Sequence, residues 1–246
     1  DQSPMELRKD LAFLHQLGYQ DVHLELEVPA ESIEAGPALH YPKQAQFHPM
    51  KYMKGLARAI EKSGGVIELQ TKVESIEGGD SPKVTLADGR VIEAGKIVVA
   101  SNTPINDILT IHTKQAPYRS YVLAARIPKG SVPVALYWDT LDPYHFIRVT
   151  PDEKNADSDL LIVGGEDHKT GQEVVPQQHI ARLKEWALRN FPMITSFENE
   201  WSGQIWESSD GLSFIGKNPG DKNVFIVTGD TGQGLTYGTI AGLMLR

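Results

Sequence analysis

The chain predicts an α/β (α+β) fold in which a domain built on parallel strands is interrupted by a second domain with a mixed, largely antiparallel sheet. Three observations carry this expectation. Segments 66–104 and 222–246 each hold a continuous apolar run, Lys96 to Ala100 and Asn223 to Thr228, of the kind that suits a buried parallel strand. The second run leads into Gly229, Gly232 and Gly234 at GxxGxG spacing, and a small-residue helix follows. Between the two segments, from Tyr118 to Val163, short strands recur at intervals of about ten residues with turn residues between them, the pattern of an antiparallel meander.

The elements follow in order. Ser3-Pro4-Met5-Glu6 is a capping box with proline at the first helical position. Leu7, Leu11, Leu14 and Leu17 continue it at helical spacing, and Gly18 ends it. Val22 to Val28 alternates as a strand does, and His40 to His48 reads as irregular. A second helix starts near Pro49 with Met50, Met53, Leu56, Ala57 and Ile60 on one apolar face, and Gly64-Gly65 closes it. Short strands are expected at Val66 to Leu69, Val73 to Ile76, Lys83 to Leu86 and Arg90 to Glu93, with Asp88-Gly89 as a hairpin turn. The meander strands are Tyr121 to Ile127, Val134 to Trp138, His145 to Val149 and Leu160 to Val163. Gln177 to Phe191 is a third helix with Ile180, Leu183, Ala187 and Phe191 as its buried stripe.

Composition narrows the function. At 246 residues, 40% hydrophobic and 23% charged, the chain can bury a sizeable core as one large or two modest domains. A net charge of −8 argues against a nucleic-acid surface and against anionic lipid. The absence of cysteine excludes disulfides, iron–sulfur ligation and thiol catalysis within this chain, and fits a reducing, cytoplasmic compartment. No apolar run reaches the roughly 18 residues of a membrane span. Asp1 follows no initiator methionine or signal pattern, and Leu243 to Arg246 stops inside an apparent helix, so the chain reads as a piece of a longer protein.

The glycine loop is the main chemical signal. Glycine allows close backbone approach and positive φ, and the free N–H groups of a first helical turn suit an anion or a carbonyl oxygen. A plain strand-to-helix turn gives the same pattern. Arg148, projecting from a meander strand, suits a bidentate clamp on a substrate carboxylate or an ordinary salt bridge. Glu166-Asp167-His168 has ligand-type residues but no convergent fourth ligand, so no metal site is expected and the segment reads as a strand-end turn.

Several stretches, in this order, resemble the D-amino-acid-oxidase-like (glycine/sarcosine oxidase) superfamily of FAD-dependent oxidoreductases. They are Phe47 to Ile60, Gly64-Gly65, Thr71 to Val73, Lys96 to Pro104, Val163 to His168, Trp201 to Gln204, Asp210 to Gly216 and Gly229 to Thr236. The match is strongest to a bacterial branch that can carry a C-terminal Rieske domain. The resemblance implies a partial FAD-binding, glutathione-reductase-like domain at 48–104 and 201–246, a substrate domain at 105–200, and residues 1–47 leading into the fold. It implies that Val73 meets the adenine through its main chain. Ala100, Ser101 and Asn102 would line the cofactor, and Gly229, Gly232, Gln233, Gly234, Leu235 and Thr236 would offer backbone donors to the flavin. His48 would face the flavin or the substrate, or else serve only as a helix-entry residue.

The family's opening GxGxxG unit has no counterpart here, so the chain is expected to bind FAD weakly or not at all alone. The expected reaction is oxidation of an amine or amino-acid-like C–N bond by hydride transfer to flavin N5, with oxygen or a Rieske centre of the longer protein as acceptor. The other reading is a cofactor-free, catalytically silent fragment or ligand-binding module. Without neighbours, the strand at Lys96 to Ala100 would expose an edge, from which a homodimer or marginal stability is expected.

Overall fold

The computed structural model describes residues 4–28, 36–105, 111–172 and 175–246. The capping residue expected at Ser3 lies outside them. The chain opens with α1 (Pro4–Gln16), β1 (His23–Glu25), β2 (Ala38–His40) and α2 (Pro49–Lys62). Next come β3 (Val73–Glu77), β4 (Lys83–Leu86), β5 (Val91–Glu93) and β6 (Ile97–Asn102). The long strands follow: β7 (Gln115–Pro128), β8 (Leu136–Trp138), β9 (His145–Pro151) and β10 (Ser158–Lys169). The last elements are α3 (Pro176–Asn190), β11 (Ser196–Ser208), β12 (Phe214–Lys217), β13 (Val224–Thr228) and α4 (Gly234–Met244). None of the described helices is long and apolar enough to cross a membrane.

Two compact units result, one of residues 1–47 and 119–203, the other of 48–118 and 204–246. The first contains the five-stranded sheet, ordered β11-β7-β10-β9-β8, so the expected meander is corrected: it holds for β8-β9-β10, while β7 lies beside β10 rather than β8. Strict alternation on β7, β9 and β10 sends Tyr121, Leu123, Ile127, Ile147, Val149, Leu161 and Val163 to one core. Leu183 and Ala187 of α3, with Phe191 just beyond it, close that core, and Ile180 packs at its margin. Their spacing of three and four residues is what puts them on one helical face. Gly164 is needed where it stands: a Cβ there would lie 2.0 Å from Phe146 Cζ, its cross-strand partner. In the same unit β1 pairs antiparallel with β2, a strand that falls partly inside the stretch read as irregular.

The second unit holds two three-stranded sheets. One is the antiparallel β3-β4-β5, whose β4–β5 hairpin turns at Gly89 (φ 87°). The other has the order β12-β13-β6, with β13 parallel to β6 and antiparallel to β12. Ile97, Val99, Val224 and Ile226 form its core, and Ile111 joins them. Ile111 and the buried Gln115 therefore belong here, which moves the unit boundary from the expected 104/105 to 118/119.

Two further expectations are corrected. No strand forms at Val66 to Leu69, where Val66 and Leu69 are exposed, because no described strand edge faces them for hydrogen bonding. β6 is buried on one face only: Ile97 and Val99 point inward while Val98 is exposed. The apolar face of α2 is amphipathic as expected, yet none of its residues is buried among the described residues.

Candidate functional site

The glycine loop begins where β13 ends. Gly229 takes φ 70°, and a Cβ there would lie 3.0 Å from Gln115 Oε1 and 3.2 Å from Phe214 Cδ2. Only glycine meets both demands. Asp230 then organises the turn. Its Oδ1 accepts from Gly232 N at 3.2 Å, and its carbonyl accepts from Gln233 N at 2.8 Å. Thr231 N donates to Trp206 O at 3.0 Å, tying the loop to β11. Gln233 stands at the N-cap of α4 and makes no side-chain cap. The first helical donor with a helical acceptor is Tyr237 N, on Gln233 O at 3.0 Å. The N–H groups of Gly234, Leu235 and Thr236 are left at the open end of the helix, where the dipole favours negative charge.

Of these residues Gly234 lines a cavity of about 320 Å³ within the second unit. Ala100 and Asn102 of β6, Gln204 and Ile205 of β11, and Tyr237 and Gly238 of α4 wall it, with Val227 and Thr228 beneath. Asn102 sits at φ 65°, and its Nδ2 donates to Gln204 O at 3.4 Å. The Thr228 hydroxyl donates to Asn102 O, pinning the end of β6 to the end of β13. A Cβ at Gly238 would meet nothing within 4 Å, and one at Gly232 only Ile205 Cδ1 at 3.8 Å, so the glycines leave open space.

The donor set suits one part of FAD. Among the described residues no Lys or Arg lines the cavity, and the Asp230 carboxylate lies against Gly234. That negative charge opposes a phosphate. Apolar walls with a few N–H donors on one edge suit a flat ring bearing a carbonyl oxygen. The volume stands at the low end of the roughly 300–1,000 Å³ of ligand pockets, room for part of the cofactor.

Of the expected cofactor residues, Ala100, Asn102, Gly232 and Gly234 line this cavity. Gln233, Leu235 and Thr236 flank it at the helix start, and Gly229 shapes the turn behind it. Ser101 donates its hydroxyl to Thr103 O at 2.8 Å and is not among the residues lining the cavity. Val73 lies in the β3-β4-β5 sheet, where the ladder slips between Val73 and Ser75. His48 is the exposed N-cap residue of α2, with no capping bond from its side chain. Arg148 belongs to the other unit, on β9, and its Nη1 donates to Phe47 O at 3.2 Å. Gln204, Ile205 and Tyr237 escaped the sequence reading. Tyr237 has a signal, lying three residues after Gly234 on the same helical face, whereas Gln204 and Ile205 arrive through tertiary packing.

The first unit carries its own cluster of titratable groups. Glu166-Asp167-His168 lies at the C-terminal end of β10, as strand rather than as the expected turn, with Glu166 at φ 57°. The Tyr121 hydroxyl meets His168 Nε2 at 3.0 Å, and the Tyr121 and His168 rings both stack on His179. Burial pushes the Asp167 carboxyl above its ordinary value, partly offset by Ser120, Tyr144, His168 and His145. Burial would also raise Asp139, but the ring and backbone N–H of His145, both at 2.7 Å, outweigh it and hold that carboxyl low.

Comparison with known proteins gives the family and the fold. Residues 2–246 match the family DAO, FAD dependent oxidoreductase. A Bacillus subtilis (strain 168) protein named as a Rieske 2Fe-2S iron-sulfur protein, YhfW, is 31% identical over 210 residues, which are 85% of this chain and 40% of that protein. Glycine oxidase of Geobacillus kaustophilus (strain HTA426) is 22% identical over 227 residues, 90% of this chain and 58% of the enzyme. The chain thus spans about half the length of these curated relatives. The solved glycine oxidase of Bacillus cereus ATCC 14579 has the same fold, with a TM-score of 0.76 at 18% identity over 97% of this chain and 69% of that one. With the match running nearly end to end and the glycine loop built as described, the chain belongs to the DAO family of FAD-dependent oxidoreductases.

Proposed function

We propose that this chain carries the flavin-ring end of an FAD site in an enzyme that oxidises an amine or amino-acid-like C–N bond. The observation that carries the reading is the start of α4: the backbone N–H groups of Gly234, Leu235 and Thr236 have no helical acceptors, and Gly234 lines a glycine-opened cavity with no Lys or Arg among the described residues around it. When bound, FAD supplies the acceptor for the hydride leaving the substrate carbon at flavin N5. The chain's own part is positioning and electrostatics. The N–H groups of Gly234, Leu235 and Thr236 would hold a ring carbonyl oxygen by donating to it. Asp230 braces the turn by accepting from Gly232 N. Thr228 and Asn102 lock the two strand ends that frame the ring, and Ala100 leaves it space.

In this reading the unit holding β6 and β13 is the cofactor half and the unit holding the five-stranded sheet is the substrate half. Arg148 spends one N–H on Phe47 O, and its other donors serve a substrate carboxylate. His48, exposed and uncapping, is the second side chain we assign to the substrate or flavin. Val73 meets the adenine through its main chain, supported by the break in its ladder. The imine product hydrolyses in water. A Rieske centre of a longer protein is the acceptor we favour over oxygen, because the Bacillus subtilis relative bears that name.

The test is a visible absorbance titration of the purified chain with FAD. A saturable shift of the flavin bands near one equivalent supports the reading. No shift means that the site of this chain alone is incomplete, and the titration is then repeated on a longer protein, where a second failure favours the cofactor-free module. Turnover of amino acids and secondary amines by the longer protein then tests the reaction, with an Arg148→Lys variant expected to raise KM for carboxylate-bearing substrates.

A further inference from the structure

We propose that His23, Glu25 and His40 form a surface site for a divalent transition-metal ion, with Zn²⁺ the best fit to the donors. Pairing of β1 with β2 sets His23 directly opposite His40, and Glu25 follows two residues after His23 on the same face. His23 Nε2 lies 3.0 Å and His40 Nδ1 3.4 Å from the same oxygen, Glu25 Oε1. The three donor atoms lie within 4.8 Å of one another.

Two nitrogens and a carboxylate oxygen are the ligands Zn²⁺ takes most readily after thiolate. Bonds of about 2.0–2.1 Å in a tetrahedron put donor atoms about 3.3 Å apart, close to the two spacings seen. The second contacts point the same way. His23 Nδ1 lies 3.1 Å from Asp21 O. With Nδ1–H donating to that carbonyl, the lone pair of Nε2 faces Glu25. A metal-bound imidazole is commonly oriented by such a backbone carbonyl. Two electron-rich atoms at 3.0 Å need a positive centre beside them, which a proton or a metal ion supplies. All three side chains are about half exposed, so an ion has direct access and water can complete the shell.

The site would act as a clip. Strands of three residues in a two-stranded sheet hold together poorly alone. An ion bound only when β1 and β2 are paired favours the paired state by mass action.

The experiment uses the untagged, chelator-treated chain. Co²⁺ is titrated first and its d–d absorption read for low-symmetry coordination, and Zn²⁺ binding is then measured by calorimetry. The expected result is one Zn²⁺ per chain with micromolar affinity. Glu25→Gln and His40→Ala should each weaken binding at least about tenfold, and the rise in Tm on adding Zn²⁺ should vanish with them. Circular dichroism checks that both variants fold; if His40→Ala does not, Glu25→Gln decides. Absence of saturable binding at micromolar Zn²⁺, or equal binding by wild type and variants, overturns the proposal.

Discussion

Gly229 and Gly238 sit in the same loop-and-helix unit yet answer to different demands. At Gly229 the backbone is left-handed and a Cβ would press on Gln115 and Phe214. Gly229→Ala should therefore lower stability by about 1–3 kcal/mol, read from urea unfolding midpoints. Gly238 lies within α4 with open space where a Cβ would go. Gly238→Ala should leave stability unchanged or raise it by roughly 0.5–1 kcal/mol, while FAD affinity falls because the methyl enters the cavity. Equal losses of stability at both positions would count against the cavity as a ligand site. Asp167 gives a pH-dependent case. Its carboxyl is raised from 3.8 by burial, so the fold favours its neutral form. That contribution is present below the unfolded pKa and is lost as pH rises through the folded one. Asp167→Asn should thus raise Tm at pH 7, and the gain should shrink as pH falls toward 3.8. A lower Tm at pH 7 would show that local donors hold the charged form.

Among the elements, α2 reads from sequence as a helix with one apolar face and α3 as a helix with a buried stripe. Periodicity reports that an apolar stripe exists, but burial needs a surface to receive it. For α3 the sheet supplies one, and Leu183 is 0% exposed. For α2 none of the described elements does, and Leu56 remains 41% exposed. Leu183→Ala should accordingly cost about 2–5 kcal/mol, and Leu56→Ala about 0.5 kcal/mol or less, measured side by side by chemical denaturation. A large loss from Leu56→Ala would mean that its face is covered in solution. The expected strand at Val66 to Leu69 failed for a related reason: an apolar run becomes a strand only against a partner edge. β11 shows the reverse. Its sequence, rich in Glu, Ser and Trp, has little strand pattern, yet pairing with β7 draws it into a 13-residue strand.

At the scale of the whole molecule, β6 closes one side of its three-stranded sheet and pairs only with β13 among the described residues. Its exposed Val98 and open backbone edge favour pairing with a second copy. Light scattering should find a concentration-dependent dimer that Val98→Lys shifts to monomer. A wild-type monomer at high concentration, with a high Tm, would refute this. The sequence by itself determined the class of fold, the strands of the large sheet, the glycine turn after β13 and the family, because these rest on local periodicity, on residues that tolerate positive φ and on short ordered motifs; that β7 pairs with β10 and not with β8 was decided by tertiary structure. Tertiary structure alone decided which side chains meet. It brought Gln204 and Ile205 to the loop, left α2 uncovered, and set His23 against His40 through a strand register that no local pattern encodes. Contacts of that kind depend on where the chain returns in space, and spacing along the chain carries no record of it.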